Sequence, residues 1–397
     1  SSLPGADAVI FPKLVREAYR QLDTFRNMGC PVIIATSEFG TVSMWDWEIA
    51  SFLKSHRVRV FTPYSVELTR AICRALGLKT EMQQTSFLMF QDTPGEGMQA
   101  SIFKRFFWWE EDCIRLIKQK FGIEITKKSF QSLGQQAQKI PDHEAEEVIK
   151  RRDIHTRDVP PGALKSAVKI YLAVKKETEA DESIGGVGMN CLNESFYSDS
   201  TPCLAWSLLF EEKGLMWACE ADIMSLLTKH LVYRTLRVPV MMSNIYPFLV
   251  GMAALKHERI DSFPEVDEPE HHLLAAHCGY LGVVPRPFAA RWTLRPRVLE
   301  IVNENATAID ARLPEGKLTL VKIDPALSRI QVVEGELEGY VQYPGSDCRN
   351  GALIKIPNGY NLMDSFYSHH NCLAVGHIGE GVKVMARALG LEVDEVK

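Results

Sequence analysis

The sequence predicts an α/β protein in which parallel sheets covered by helices are followed by an antiparallel β subdomain. Up to residue 290, short apolar runs alternate with segments whose apolar residues recur at helical spacing. After residue 290 the apolar runs stand in pairs separated by turn residues, and Gly335, Gly339 and Gly345 interrupt the later part of this region. The 397 residues, 46% of them hydrophobic, are enough for two or three domains with buried cores.

Individual elements follow from the same patterns. Apolar runs predict strands at 31–36, 58–61, 87–90, 215–219, 318–323, 330–333 and 372–375. Helical spacing predicts helices over 12–28, 65–77, 98–121, 164–175, 203–213 and 378–389. Ser65 is the predicted N-cap of the second helix and Gly77 its predicted end. Residues 185–191 are predicted as a turn that enters a strand, which we expect to lie parallel to 215–219 because a single helix joins the two.

Composition and charge exclude several classes of protein. The net charge of −5 and the absence of a basic cluster argue against nucleic-acid binding. No run of apolar residues is long enough to span a membrane, and the first residues show no secretory pattern. The nine cysteines are scattered without a C-x-x-C pair, which is typical of a reducing compartment, so we expect a cytoplasmic protein.

Acidic residues follow two of the predicted strands at matching positions. Glu194 comes after the strand that ends near residue 191, and Glu220 and Asp222 come after 215–219. Ligand sites in open α/β sheets lie at the carboxyl ends of parallel strands, so these acids are candidates for a site. Each also has a simpler interpretation, since Glu194 can be a solvated loop acid and Asp222 a helix N-cap.

Histidines provide the third candidate element. His369, His370 and Asn371 precede the predicted strand 372–375, where a histidine pair is either a surface feature or part of a polar site. One imidazole and two carboxylates form an oxygen-rich ligand set that suits Mn²⁺, Mg²⁺ or Fe²⁺ better than structural Zn²⁺. The pairs 271–272 and 277–278 are equally compatible with a pocket and with packed polar residues.

Four short segments in the same order resemble the L-fucose isomerase family and, more loosely, the L-arabinose isomerases. They are residues 190–194 (NCLNE), 201–205 (TPCLA), 218–223 (ACEADI) and 370–379, in which a histidine precedes a Gly-His-Ile-Gly turn. The resemblance implies a divalent cation, Mn²⁺ or another such as Mg²⁺ or Co²⁺, held by Glu194, Asp222 and His370. It further implies that the two carboxylates transfer the proton of an enediol reaction, and that His369 and Asn371 contact the sugar. His369 stands where the family often has Asn.

The resemblance also implies an architecture and a function. We expect Rossmann-like domains over 1–82 and 83–200, the first lacking its beginning and the second carrying Glu194, and a C-terminal domain over 201–397 with a β-barrel-like part. The implied protein is a homo-oligomeric isomerase that interconverts an aldose and its ketose. Two alternatives stay open, namely a non-catalytic sugar-binding or regulatory protein on the same scaffold, and a metal-dependent hydrolase or lyase that uses the same ligands.

Overall fold

The computed structural model describes residues 5–12, 16–35, 44–63, 65–93, 110–247, 266–342 and 351–396. It is a mixed α/β structure, as predicted, with two parallel sheets followed by a sheet that is almost entirely antiparallel. None of the helices among these residues combines the length and apolar character that a bilayer crossing requires. The predicted helical residues 98–109, the turn residues 94–97 and Gly345 lie outside the described residues.

The first sheet is small and parallel, in the order β1-β2-β3. Its strands are β1 Val9–Phe11, β2 Val32–Ile34 and β3 Val60–Phe61, and its helices are α1 Leu22–Asn27, α2 Met44–Ser55 and α3 Val66–Glu81. The helix predicted over 12–28 is wrong at residues 16–21, where a 3₁₀ helix covers Arg16–Gln21, and residues 13–15 of the prediction lie outside the described residues. The Ser65 cap is confirmed, because its hydroxyl accepts a hydrogen bond from Leu68 N.

The predicted end of α3 at Gly77 is wrong. The helix continues to Glu81 because the following residue, Leu78, is buried and extends the apolar face. A glycine inside a helix lowers its stability without ending it.

The second sheet is also parallel and has the order β5-β4-β6-β7. Its strands are β4 Ser86–Phe90, β5 Glu124–Lys128, β6 Ile184–Met189 and β7 Met216–Ala218. Its helices are α4 Glu111–Phe121, α5 Phe130–Lys139, α6 Asp142–Arg151, α7 Pro161–Glu179 and α8 Cys203–Lys213. The predicted parallel pairing of β6 with β7 is confirmed, and it takes the sheet past the domain boundary expected after residue 200.

The glycines predicted as a turn at the start of β6 belong to the strand itself. A Cβ on Gly186 would lie 2.9 Å from Phe87 and 3.0 Å from Leu226. The turn prediction is wrong here because the glycines allow large apolar neighbours to pack directly against the β6 backbone.

The C-terminal part is built around a closed barrel. Helix α9, Ile223–Leu236, leads from β7 into it. The remaining elements are β8 Val240–Pro247, β9 His272–Ala276, β10 Arg291–Pro296, β11 Thr307–Arg312, β12 Gly316–Ile323, β13 Arg329–Val341, β14 Gly351–Lys355, α10 Gly359–Ser365, β15 His370–Val375, α11 Gly379–Leu389 and β16 Glu392–Glu395. Six strands in the order β12-β15-β8-β9-β14-β13 form a ring, since β12 also pairs with β13. Every pairing around the ring is antiparallel, and the predicted β12–β13 hairpin is confirmed.

Helix α5 fixes the loop that follows β6. A Cβ on Gly134 of α5 would lie 2.0 Å from the carbonyl oxygen of Tyr197, which belongs to the short 3₁₀ helix Ser195–Tyr197. Glu194 immediately precedes that 3₁₀ helix. The close approach of α5 therefore sets the position of the loop that carries Glu194.

We expect Gly134→Ala to destabilise the protein by about 1–3 kcal/mol, because the added methyl group meets backbone and not a flexible side chain. The matched control is Gly77→Ala in α3, where a Cβ meets no atom within 4 Å. This control is expected to be neutral or to stabilise the fold by about 0.5–1 kcal/mol. Urea denaturation of both variants gives the comparison, and equal effects would show that the α5 contact does not constrain the loop.

Candidate metal centre

The carboxyl ends of β6 and β7 lie side by side, as expected for parallel neighbours. Glu194 follows β6 by a few residues, whereas Glu220 and Asp222 follow β7. All three side chains are buried, so the simple interpretation of Glu194 as a solvated loop acid is wrong. Burial of three carboxyl groups requires specific partners for each of them.

The carboxylate of Glu194 accepts hydrogen bonds from two residues that follow β4 and from one residue that follows β6. Its carboxylate accepts hydrogen bonds from the backbone N–H of Asp92 at 2.9 and 3.1 Å. The backbone N–H and the hydroxyl of Thr93 also donate to it, the hydroxyl at 3.0 Å. Asn190 Nδ2 donates at 3.0 Å. These donors satisfy the buried carboxylate and fix its orientation.

Asp222 is the N-cap of α9, which confirms that interpretation of the residue. Its Oδ1 accepts from Ser225 N at 2.8 Å. Its Oδ2 lies 2.8 Å from Nδ1 of His370, at the start of barrel strand β15, and accepts the Ser225 hydroxyl at 2.6 Å. Burial by itself raises the pKa of Asp222, but the Lys322 ammonium and the bond from His370 hold this pKa well below its usual range. The carboxylate is thus ionised and oriented at the same time.

Glu220 reaches the site through an unusual backbone. Glu220 and Ala221 both lie in the left-handed region, with φ of 54° and 53°. Each such residue costs about 1–2 kcal/mol, a strain typical of functional sites. The turn places Glu220 Oε1 at 3.2 Å from Nε2 of His277 and at 3.8 Å from Nε2 of His370. Although burial raises its pKa, the hydrogen bond and charge of His277 and the charge of His370 lower the pKa of Glu220 to about 2.

His277 is positioned by a tight turn after β9. It pairs with Tyr280 across the turn, and the two central residues, Cys278 and Gly279, have φ of 53° and 86°. Positive φ at both central positions is the feature of a type I′ hairpin turn. The His277 imidazole is thereby fixed opposite His370, with the ring centroids 5.6 Å apart.

Glu220, His277 and His370 are the only group of three among the described residues whose candidate ligand atoms all lie within 4.8 Å of one another. We call these three residues the buried triad. One carboxylate and two imidazole nitrogens form a ligand set that holds divalent transition metals. His370 Nε2 faces Glu220 while its Nδ1 faces Asp222, so a hydrogen bond fixes the ring from the side opposite the triad.

This arrangement differs from the ligand set expected from the resemblance. The expected Glu194, Asp222 and His370 do not form a group within the same 4.8 Å limit. The structure does bring Asp222 and His370 together, but Asp222 contacts the ring nitrogen that faces away from Glu220. Glu194 is fixed instead by backbone and side-chain donors that follow β4 and by Asn190, which follows β6.

The two expected sugar contacts differ in exposure. His369 is exposed, with its ring 4.4 Å from that of His370. Asn371 is buried, and its side-chain oxygen accepts a hydrogen bond from Cys372 N.

His272 is a packed polar residue, since its Nδ1 and Nε2 lie 2.9 Å from Glu268 O and 3.0 Å from Glu338 Oε2. The sequence leaves two interpretations of His277 open, a pocket residue or a packed polar residue. The Cys-Gly pair directly after His277 is the sequence signal that indicates its tight turn.

A small cavity of about 30 Å³ adjoins the triad at His277. Its wall is mainly apolar and includes four thiols, those of Cys191, Cys203, Cys219 and Cys278. Burial raises the pKa of Cys203 to about 11, and it raises the pKa of Cys191 further. The thiols are therefore neutral at physiological pH and contribute apolar surface to the cavity.

A scan against models of protein families finds no match to this chain, and a search of curated proteins finds none either.

We expect Glu220→Gln to change the acid stability of the metal-free protein. The pKa of this carboxyl is about 2 in the folded chain and ordinarily 4.5. The ionised carboxylate thus stabilises the fold above about pH 4.5, and this contribution disappears as the pH falls toward about 2. The difference in unfolding free energy between wild type and variant should shrink by up to about 3 kcal/mol over that interval. The exposed Glu300→Gln variant is the control, and parallel curves for wild type and Glu220→Gln would contradict the assignment.

Proposed function

We propose that this protein is a metal-dependent isomerase that interconverts an aldose and its ketose, of the L-fucose and L-arabinose type. The observation that carries the proposal is the buried triad at the carboxyl edge of the second parallel sheet. The four sequence segments that resemble the L-fucose isomerases add the reaction type. The expected homo-oligomer and cytoplasmic location stay predictions.

The donor chemistry of the triad fits a divalent cation such as Mn²⁺ or Co²⁺. Glu220 provides an ionised oxygen, and His277 and His370 each direct Nε2 to that oxygen. When bound, the cation supplies positive charge that stabilises an oxyanion developing on the sugar.

The other residues have separate tasks in this proposal. An aldose becomes a ketose when a base removes the proton from C2, the carbon next to the carbonyl, and returns it to the carbonyl carbon C1, while the hydroxyl proton moves from O2 to O1. We assign this transfer to Glu194, the carboxylate that the resemblance gives the same role and that is not needed for the triad. Asp222 keeps the proton of His370 on Nδ1 and leaves Nε2 to the cation.

The cavity beside His277 has a volume of about 30 Å³, which is too small to hold a sugar, so its contribution to the site is an apolar surround. Its apolar wall excludes water from the neighbourhood of the triad, which strengthens electrostatic interactions there.

A second candidate function is metal-dependent hydrolysis. Two histidines and one glutamate are also the protein ligands of several hydrolytic zinc sites, where the cation activates water. The two functions differ in their products, because a hydrolase cleaves its substrate whereas an isomerase releases a ketose of unchanged mass. A sugar-binding protein on this scaffold would yield neither product.

The test is a metal-reconstitution assay with two matched variants. The chelator-treated protein is loaded with Mn²⁺, Mg²⁺ or Co²⁺ and incubated with aldopentoses and 6-deoxyaldohexoses, and ketoses are detected. We expect Glu220→Gln to weaken Mn²⁺ binding by at least about 100-fold, in line with the loss of a metal ligand. Glu194→Gln should keep Mn²⁺ affinity within about threefold and lower turnover by about 10²–10⁴-fold, the usual contribution of a general base.

Circular dichroism of both variants checks that each one folds. Loss of Mn²⁺ binding in Glu194→Gln with full binding in Glu220→Gln would place the cation at the set expected from the resemblance. A metal-loaded protein that produces no ketose from any of these sugars would reject the isomerase.

A further inference from the structure

Helix α9 carries a polar stripe in an otherwise apolar, buried environment. Asp222 caps the helix, and Ser225 and Lys229 follow at spacings of three and four residues, so all three lie on one face. Lys229 donates to Trp217 O at 2.6 Å and lies 4.0 Å above the Trp217 ring. Lys322 approaches the same stripe from barrel strand β12 and is only 2% exposed.

Lys322 contacts the stripe through two oxygen atoms. Its Nζ donates to Ser225 Oγ at 2.6 Å and lies 3.4 Å from Asp222 Oδ2. Ser225 Oγ in turn donates to the same Asp222 oxygen at 2.6 Å. That oxygen also faces His370 Nδ1. A continuous chain of contacts thus runs from Lys322 through Ser225 and Asp222 to the imidazole.

Stability alone does not account for this buried ion pair. Removing an ammonium and a carboxylate from water costs about as much as their attraction returns, and apolar residues of similar volume are often equally stable. A fully buried pair of this kind is therefore expected where its orientation serves another group. The group that it contacts here is His370, a member of the buried triad.

We infer that Lys322 and Ser225 are positioning residues that hold Asp222 against His370 Nδ1 and thereby keep His370 Nε2 directed at Glu220. The inference about the tautomer concerns the metal-free chain, and only its consequence for metal affinity rests on the proposed function. In this arrangement neither residue contacts the cation or the sugar. Their effect is transmitted through the Asp222 carboxylate.

The test uses Lys322→Met, which keeps a long side chain and removes the charge. The matched control is Lys317→Met on the same strand, where the lysine is exposed. The first readout is the ¹⁵N NMR spectrum of the imidazoles in metal-free protein, which reports the ring nitrogen that carries the proton. We expect His370 to be protonated at Nδ1 in wild type and in the control, and to become a mixture of tautomers in Lys322→Met. The second readout is Co²⁺ affinity from visible absorption, which should fall 10- to 100-fold in Lys322→Met only.

Ser225→Ala provides a milder variant if Lys322→Met fails to fold. It removes the bridging hydroxyl and leaves the backbone cap and the lysine in place. We therefore expect smaller changes in the His370 tautomer and in Co²⁺ affinity. An unchanged His370 tautomer and Co²⁺ affinity in both folded variants would overturn the inference. A changed tautomer in a protein that forms no ketose would reject the isomerase and leave the positioning role standing.

Discussion

The hydrogen bond between Asp222 and His370 joins the two halves of this protein. Asp222 stands where the second parallel sheet passes into α9, and His370 begins strand β15 of the barrel, 148 residues later in the chain. Both groups are buried, so the bond forms only when helix and barrel are packed together. It also decides how the imidazole faces the rest of the site. The position of the triad therefore depends on the interface between the two halves and not on any single element.

Holding these groups together has a cost that local structure cannot offset. Glu220, Ala221 and Cys278 all adopt positive φ without being glycine. In addition, the charged side chains of Glu220, Asp222 and Lys322 are buried. The energy that compensates for this comes from the apolar core, which extends continuously from the second sheet into the barrel. The site is a strained, polar insertion in a large apolar structure, and this combination is typical of functional centres.

Much of the fold could be predicted from the sequence because local patterns determine it. The cap at Ser65, the helix over 203–213 and the β12–β13 hairpin depend on side chains close together in the chain. The β-barrel-like part was expected from the resemblance alone, because local patterns do not show that strands from distant segments meet in register. The glycines of β6 misled for a related reason, because their role is to admit Phe87 and Leu226, which pattern analysis does not place nearby.

The site was predicted in part for the same physical reason. Strand order correctly placed the acids after β6 and β7 at one edge, and Asp222 was identified as a cap. The direction of the Glu220 side chain, in contrast, is set by the left-handed backbone of Glu220 and Ala221. The sequence does not indicate this backbone, because the segment ACEAD contains no glycine. His277 comes from a turn whose position relative to His370 is set by the pairing of β8 with β9 and β15.

In the proposed site, the charge of Lys322 favours a cation at the triad over a cation at the set that includes Asp222. A cation bound to Asp222 Oδ2 would share that oxygen with an ammonium group that already lies 3.4 Å away. Repulsion between a divalent ion and a lysine at roughly 5 Å amounts to about 7 kcal/mol at an effective dielectric constant of about 20. On the other side of the imidazole, Glu220 Oε1 lies 3.2 Å from Nε2 of His277 and 3.8 Å from Nε2 of His370. Because neutral histidines are ligands and not competitors, the electrostatics of this chain favour the Nε2 side of His370.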